Sequence, residues 1–350
     1  MTAASTTLSL RVLEVVRETR DAVSVRFAPP PGESPLDFRP GQFLTLRVPV
    51  PGGGWAARCY SLSSTPGDGP PTITVKRVPG GVASTWLCEA LRQGDEIRAL
   101  PPAGVFVAGE EHRNLLLLAA GSGITPVMSV LRERLGRTEG TVVLVYANRD
   151  EESVIFAREL RELAARHQGR LVVLHHLESL QGLPTADVLT HLCRGHVPDT
   201  DLAMVCGPQP FMDACAQALT ALELPRKKLL TERYRSLESD PFATPSDGGP
   251  PLAPAEDRTE ATAVVEMDGE RREFTWPAGA TLLDVLLERG VEAPFSCKEG
   301  ACSACACRIL SGEVELRRNE VLDEQDLAEG YILACQAVPA AERIEVSYDQ

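Results

Sequence analysis

Cys297-Lys298-Glu299-Gly300-Ala301-Cys302-Ser303-Ala304-Cys305 is followed, after 29 further residues, by Cys335. Three thiols separated by gaps of four and two wrap a single loop, and a fourth closes the cage from elsewhere. That spacing is the one used for a [2Fe–2S] cluster, with Cys297, Cys302, Cys305 and Cys335 as ligands. Gly300, Ala301, Ser303 and Ala304 are small, so backbone N–H groups can approach the sulfurs and tune the cluster. Structural zinc favours paired Cys-x2-4-Cys units, and this loop holds one such pair. Cys307 matches no ligand position. It is expected to be a buried thiol, as are Cys59, Cys88, Cys193 and Cys215.

Around this loop the pattern is that of a small α+β domain. Residues 261–267 and 270–276 alternate about Asp268-Gly269 and read as a hairpin. Residues 281–289 read as a helix stopped by Gly290, and 343–348 as a last strand. Upstream, residues 237–258 hold five prolines, two adjacent glycines and five acids, the composition of a linker. Further upstream the grammar is different again. Leu115-Leu116-Leu117-Leu118-Ala119-Ala120 and residues 141–147, 170–175 and 202–206 are apolar runs typical of a buried parallel sheet. Helical patterns at 126–135, 156–167 and 208–222 alternate with them, which predicts a doubly wound α/β domain. From 8 to 107 the chain is short strands punctuated by Pro and Gly at 29–35, 51–54 and 66–71, with one helix at 84–91. That predicts a small antiparallel β-barrel.

The chain of 350 residues has a net charge of −14, which argues against nucleic acid and against an anionic membrane surface. The charge is uneven. Residues 259–350 carry 19 acids and 8 Lys or Arg, a net of −11, which leaves −3 for the rest. This is either a solvated acidic surface or a docking face for a basic protein partner. Leu115 to Ala120, the longest apolar run, is too short to span a bilayer, so no membrane insertion is expected. The N-terminus lacks a basic region and an apolar core, and ten cysteines without a secretion signal suggest a reducing, cytoplasmic setting.

Two further sites are legible. Arg58-Cys59-Tyr60-Ser61 puts Arg58 and Tyr60 on one strand face, suited to a pyrophosphate and a flat ring. Gly80-Gly81-Val82-Ala83-Ser84-Thr85 enters a helix N-terminus, where phosphate binds. Gly121-Ser122-Gly123-Ile124-Thr125-Pro126 and Cys206-Gly207-Pro208 each follow an apolar strand. Ligands bind at such strand ends, so a nicotinamide nucleotide is expected there.

Arg58-x-Tyr60-Ser61, Gly121-x-Gly123-x-Thr125-Pro126 and Cys206-Gly207-Pro208, in this order, resemble the ferredoxin–NADP reductase superfamily. The order flavin domain, nicotinamide domain, C-terminal plant-type ferredoxin is similar to the reductase components of phenylacetyl-CoA oxygenase and of ketosteroid 9α-hydroxylase. Tyr146-Ala147-Asn148-Arg149-Asp150, residues 177–184 and 236–242, Ala293-Pro294-Phe295-Ser296-Cys297 and residues 345–349 resemble the steroid branch more closely. The resemblance implies an FAD-binding β-barrel at 1–108, an NAD-binding α/β domain at 109–236, a linker at 237–258 and a β-grasp [2Fe–2S] domain at 259–350. It implies that Arg58 holds the FAD pyrophosphate, that Tyr60 stacks on the isoalloxazine and that Ser61 sits near flavin N5. Lys76 and Gly81, Val82, Ala83, Ser84 and Thr85 complete the flavin contacts. Gly121, Gly123, Thr125, Pro126, Asn148, Arg149, Asp150, Cys206, Gly207 and Pro208 serve the nucleotide. Glu232 and Tyr234 approach the flavin, and Ser61, Cys206 and Glu232 are the residues placed at the chemistry. Related reductases often carry Phe where Tyr234 stands, and an aromatic ring is kept.

The implied function is electron transfer. NADH gives a hydride to FAD, the cluster takes one electron at a time, and a terminal oxygenase of Rieske type receives them. A monomer is expected. The alternatives are the reductase of another oxygenase, such as phenylacetyl-CoA epoxidase, and a flavin-dependent redox sensor. Asn148-Arg149-Asp150-Glu151-Glu152 ends the second strand of the α/β domain, where an acid favours a free ribose 2′-OH and an Arg a 2′-phosphate. Three acids against one Arg point to NADH, although acids also favour the start of a following helix.

Overall fold

The computed structural model describes residues 7–28, 36–242 and 260–349. The expected turn at 29–35 and residues 243–258 of the expected linker lie outside the described residues. The chain divides into two compact units, one holding Thr7–Tyr234 and the other Arg235–Gln350.

The first unit begins with β1 (Leu8–Thr19), β2 (Ala22–Ala28), β3 (Phe43–Pro49), β4 (Trp55–Ser61), β5 (Thr72–Lys76), α1 (Val82–Glu89) and β6 (Glu96–Ala99). The strands pair antiparallel in the order β4-β3-β6-β1-β2-β5. A bridge between Leu62 and Ile73 joins the two ends, so the sheet closes into the expected barrel. Leu10, Val12, Val25, Phe27, Leu44, Leu46 and Ile73 fill its interior, which is why alternate positions are apolar. Sequence reasoning missed β6, whose alternation of Glu96, Ile97, Arg98 and Ala99 is too short at four residues to stand out.

The chain continues with β7 (Leu115–Ala120), α2 (Ile124–Arg137), β8 (Val142–Asn148), α3 (Ala157–Arg166), β9 (Leu171–Leu177), α4 (Glu178–Gln181), α5 (Ala186–Cys193), β10 (Leu202–Cys206), α6 (Gln209–Ala221) and β11 (Leu229–Glu232). The five strands are parallel, in the order β11-β10-β7-β8-β9. All six residues of β7 are buried because it is covered on both faces. Leu115, Leu117 and Ala119 pack with residues of α2 and α3, while Leu116 and Leu118 pack with residues of α5 and α6. Helix α2 starts two residues before Pro126, because Gly121–Gly123 is itself a 3-10 turn that runs into it. Sequence reasoning also missed α5 and β11. Thr185, whose hydroxyl accepts from the Val188 N–H at 3.4 Å, was a readable N-cap signal for α5.

The second unit holds β12 (Ala261–Met267), β13 (Glu270–Trp276), α7 (Leu282–Glu288), β14 (Ala306–Ser311), β15 (Val314–Leu316), α8 (Glu324–Ala328), β16 (Tyr331–Leu333), β17 (Ala337–Pro339) and β18 (Arg343–Ser347). The expected hairpin is present as β12 and β13, with Asp268 and Gly269 both left-handed at φ 53° and 73°. The Asp349 carboxylate accepts both turn N–H groups, at 2.8 and 2.9 Å. The sheet order is β13-β12-β18-β14-β16, with β12 and β18 parallel. Helix α7, capped by Thr281, buries Leu282, Leu283, Val285 and Leu286 in a core shared with Trp276 and Ile344. A mixed sheet holding one helix is the β-grasp layout. Among the described residues, no helix is long and apolar enough to cross a membrane.

Candidate functional site

In the sheet β7 and β10 are neighbours, yet their connections leave in opposite senses along the strand order, so a crevice opens at their carboxyl ends. The loops after them are in close contact there. A Cβ on Gly123 would lie 2.0 Å from the Cys206 carbonyl oxygen, and one on Gly207 would lie 3.0 Å from the Ala120 Cβ. Glycine is therefore required at both positions, and Gly121, Gly123, Thr125, Pro126, Cys206, Gly207 and Pro208 share one edge of the sheet. Asn148 ends β8 beside them. Its amide lies against the Tyr146 side chain, but neither amide atom has a hydrogen-bond partner although both are buried. An orphaned amide at a strand end fits a nucleotide that would supply the partner.

Helix α2 carries this edge to the barrel. Ser129 Oγ donates to the Ser64 carbonyl at 2.5 Å, and Arg132 donates to the Ser63 carbonyl while gripping the Glu159 carboxylate at 2.6 and 2.7 Å. Ser63 and Ser64 directly follow β4, which bears Arg58, Tyr60 and Ser61. The Tyr234 hydroxyl then joins the two halves, lying 3.0 Å from Ser61 Oγ and 2.9 Å from Thr125 Oγ1. Tyr234 is 43% exposed overall, but its hydroxyl is enclosed by these groups and by Cys206, and burial raises its pKa well above the ordinary value. Burial also raises Tyr60, against the opposing effect of Arg58, so both phenols stay neutral.

Residue Cys206 is fully buried, and its thiol is raised by burial and secondarily by Glu232. It presents a neutral sulfur rather than a thiolate nucleophile. Strand β11 sets Glu232 directly beside Cys206 in register. The residue is half-buried, but its carboxyl is the enclosed part, and burial pushes it up to about 8, opposed by the Arg233 N–H. Glu232 therefore keeps its proton at neutral pH.

Gly81, Val82 and Thr85, three of the residues expected at the flavin, line a second feature. Gly81 caps α1, and Ser84 Oγ accepts from the Val78 N–H at 3.1 Å and donates to the Gly81 carbonyl at 3.3 Å, which shapes the turn. A groove of about 570 Å³ opens beside it, lined by Pro49, Pro51, Gly81, Val82, Thr85 and Trp86 among others. An open groove at the start of a helix fits the phosphate and nucleoside portion of FAD. Lys76 ends β5, and its Nζ would lie 3.5 Å from a Cβ on Gly121. Its pKa is lowered by burial and partly restored by Asp21. Around it the β1–β2 turn meets the end of β8: Asp21 pairs with Arg149 at 3.0 Å and Arg20 with Asp150 at 3.1 Å. Asp150 also caps the following 3-10 turn by accepting the Ser153 N–H at 2.8 Å, so the capping role of Asp150 is real.

In the second unit Cys297, Cys302, Cys305 and Cys335 are all buried. Left-handed φ values at Lys298, Gly300 and Ser303 curl the loop and turn its N–H groups inward. Each sulfur accepts a hydrogen bond. Cys297 Sγ accepts from Glu299 N and Ala301 N at 3.4 and 3.3 Å, Cys302 Sγ from Cys297 N at 3.4 Å, Cys305 Sγ from Cys335 N at 3.4 Å, and Cys335 Sγ from Gln336 Nε2 at 3.6 Å. Hydrogen bonds from the Cys302 and Cys335 thiols, joined by those N–H groups, hold Cys297 well below the usual thiol range. Four buried sulfurs, each with its own donor, fit thiolates carrying a cluster. Among the described residues, no three such side chains converge as a mononuclear metal ion needs; a two-iron cluster divides its four ligands between two irons. Cys307 is buried and raised by burial. Of the thiols expected to be buried, Cys59 is the exception: it is half-buried, on the strand face opposite Arg58 and Tyr60 and 3.5 Å from Thr45 Oγ1.

The three sites match known families in the same order. Residues 9–107 match the oxidoreductase FAD-binding domain, 117–217 the oxidoreductase NAD-binding domain and 265–340 the 2Fe-2S iron-sulfur cluster binding domain. The chain is 50% identical to the ferredoxin reductase component of 3-ketosteroid-9-alpha-monooxygenase from Mycolicibacterium smegmatis, over 98% of this chain and 97% of that protein. The chain belongs to that family of reductase components. It is also 34% identical to one of the subunits of 1,2-phenylacetyl-CoA epoxidase from Escherichia coli, over 97% of each. Phthalate dioxygenase reductase has the same fold, with a TM-score of 0.56 at 23% identity over 97% of this chain and 98% of that one. This oxidoreductase thus carries FAD-, NAD- and [2Fe–2S]-binding domains in one chain.

Replacing one ligand sulfur separates ligand from neighbour. Cys335→Ser should lose the two-iron visible and EPR signature, and Cys307→Ser should keep it with iron content unchanged. Equal loss from both would refute the ligand set.

Proposed function

We propose that this reductase draws electrons from NADH and delivers them singly to the terminal oxygenase of a ketosteroid 9α-hydroxylase, an oxygenase of Rieske type, in the cytoplasm and as a monomer. The observation that carries the reading is the Tyr234 hydroxyl, within 3.0 Å of both Ser61 and Thr125, because it joins the flavin strand and the nucleotide helix at one point. When bound, FAD supplies the conversion from a hydride pair to single electrons, and the cluster supplies a one-electron carrier.

The protein's own residues would bind and orient. Arg58 and the α1 N-terminus hold the pyrophosphate, Tyr60 packs on the ring, and Lys76 adds a positive charge beside the Gly121 turn. Thr125 and the neutral Cys206 flank the nicotinamide, and Asn148 gains a partner from the nucleotide. Glu232 holds a proton next to Cys206 without adding charge there. We place the domain limits at 108/109 and 236/237, with the iron–sulfur domain from 259.

Mixed with its cognate steroid oxygenase, the protein should support NADH-dependent 9α-hydroxylation of a 3-ketosteroid. Support of a phenylacetyl-CoA oxygenase instead would reassign the partner.

The nucleotide preference is tied to Arg149, whose guanidinium is engaged by Asp21. kcat/KM should be higher for NADH than for NADPH, and Asp21→Asn should raise the NADPH value several-fold by releasing Arg149. Higher kcat/KM for NADPH in the wild type would reverse the assignment.

Folded Glu232 titrates near 8 against an ordinary 4.5, so the folded state binds the proton more tightly. Stability should therefore fall as pH rises from about 4.5 to about 8. Glu232→Gln should flatten that slope and raise Tm relative to wild type at pH 8, measured by thermal unfolding across the range. Parallel pH profiles in both proteins would show that Glu232 carries no such proton.

A further inference from the structure

Residue Glu299 sits inside the cysteine loop and is 8% exposed. It accepts three donors, in four contacts, from the chain that follows Tyr234. Oε1 accepts Glu238 N at 3.1 Å, and Oε2 accepts Glu238 N at 3.2 Å, Ser239 N at 2.9 Å and Ser239 Oγ at 2.7 Å. Ser239 Oγ also lies 3.3 Å from the Cys297 carbonyl. Leu237 is buried, Arg318 pairs with Glu238 at 3.2 Å, and Arg235 pairs with Glu320 at 2.9 Å. Burying a carboxylate is costly unless donors replace water, and here the replacements come almost wholly from this strap. The same residue's backbone N–H donates to Cys297 Sγ. Glu299 thus touches a ligand sulfur with its main chain and the strap with its side chain.

The strap has a place in the electron path. Tyr234 lies between Ser61 and Thr125, and Glu238 is four residues further on. With Glu238 fastened, four residues of chain lead from Tyr234 to a point held on the cluster loop. With the strap released, the span from Tyr234 to Ala261 at the start of β12 is 27 residues. Effective concentration falls roughly as the −3/2 power of tether length, so this lengthening corresponds to roughly a fifteen- to twentyfold loss.

We propose that Glu299 is a positioning residue for electron transfer: by clamping Glu238 and Ser239 to the cluster loop it keeps the tether from the flavin site short. The inference rests on the proposed passage of electrons from flavin to cluster. It concerns this chain's own clamp, which neither the cysteine spacing nor the nucleotide motifs require.

Three full-length, cofactor-loaded variants test it: Glu299→Ala, Glu299→Gln, which keeps an acceptor oxygen, and Ser239→Pro, which removes the strap's N–H and hydroxyl and leaves the cysteine loop untouched. Amide hydrogen exchange is read at Glu238 and Ser239, and stopped-flow absorbance follows cluster reduction relative to flavin reduction by NADH. In Glu299→Ala and Ser239→Pro the Glu238 amide should exchange at least tenfold faster, as should the Ser239 amide where it is retained. Cluster reduction should slow roughly fifteen- to twentyfold relative to flavin reduction, and Glu299→Gln should fall between. Unchanged exchange, or fast exchange with cluster reduction at the wild-type ratio, overturns the clamp. If Glu299→Ala fails to hold a cluster, Ser239→Pro decides by the same two readings. A wild-type cluster that NADH never reduces would instead remove the electron-transfer reading itself.

Discussion

No side chain fits between Gly123 and the peptide that joins Cys206 to Gly207, and much of the first unit is arranged around that contact. It holds the turn after β7 flat against the turn after β10, so the two connections that diverge from the sheet begin as one surface. Thr125 then emerges at a fixed height above the strand ends and meets Tyr234. Helix α2, starting from the same turn, reaches the barrel through Ser129 and Arg132. A shift of the Gly123 turn would be carried along a rigid helix to Ser63 and Ser64, and from there to β4. The nucleotide edge and the flavin strand are mechanically one object within this unit.

What could be read from the sequence was what is local in it. The cysteine loop is nine residues long, and its spacing dictates its chemistry. The quadruple Leu of β7 announces a strand covered on both faces, and Asp268-Gly269 announces a hairpin. What escaped is what depends on distant partners. Strand β11 is four residues that become a strand only because β10 offers a free edge. Strands β15 and β17 have three residues each and exist only as each other's partner. The pairing of Asp21 with Arg149 joins residues 128 apart, and no periodicity encodes it. Helix boundaries moved for a related reason: Gly121–Gly123 has no intrinsic helix preference and turns helically because its carbonyls can be met by α2. The site motifs were legible as motifs, while the roles of Tyr234 and Glu299 needed the long-range contacts.

The acidic character of the iron–sulfur domain is sharpened by how its few bases are used. Arg271 and Arg343 face Glu345 and Glu273 across the sheet, Arg272 bonds Glu270, and Arg318 bonds Glu238 and Glu320. These guanidinium groups are matched locally, so the surplus of 11 negative charges in residues 259–350 is left to the remaining surface. Such a surface favours encounter with a positively charged protein and sets its rate more than its final affinity.

The two crossed pairs at the turn between β1 and β2 have a different consequence. Arg20 and Arg149 are each more than half exposed, and their partners Asp150 and Asp21 are less so. Exposed pairs of this kind contribute about 0–1 kcal/mol each and weaken as salt rises, the Debye length being about 8 Å at physiological ionic strength. They nevertheless lie where the barrel meets the second strand of the nucleotide domain, beside Lys76 and the orphaned amide of Asn148. Ionic strength therefore acts as a dial on how firmly this turn of the barrel holds the end of β8, leaving the uncharged backbone contact at the Gly123 turn untouched.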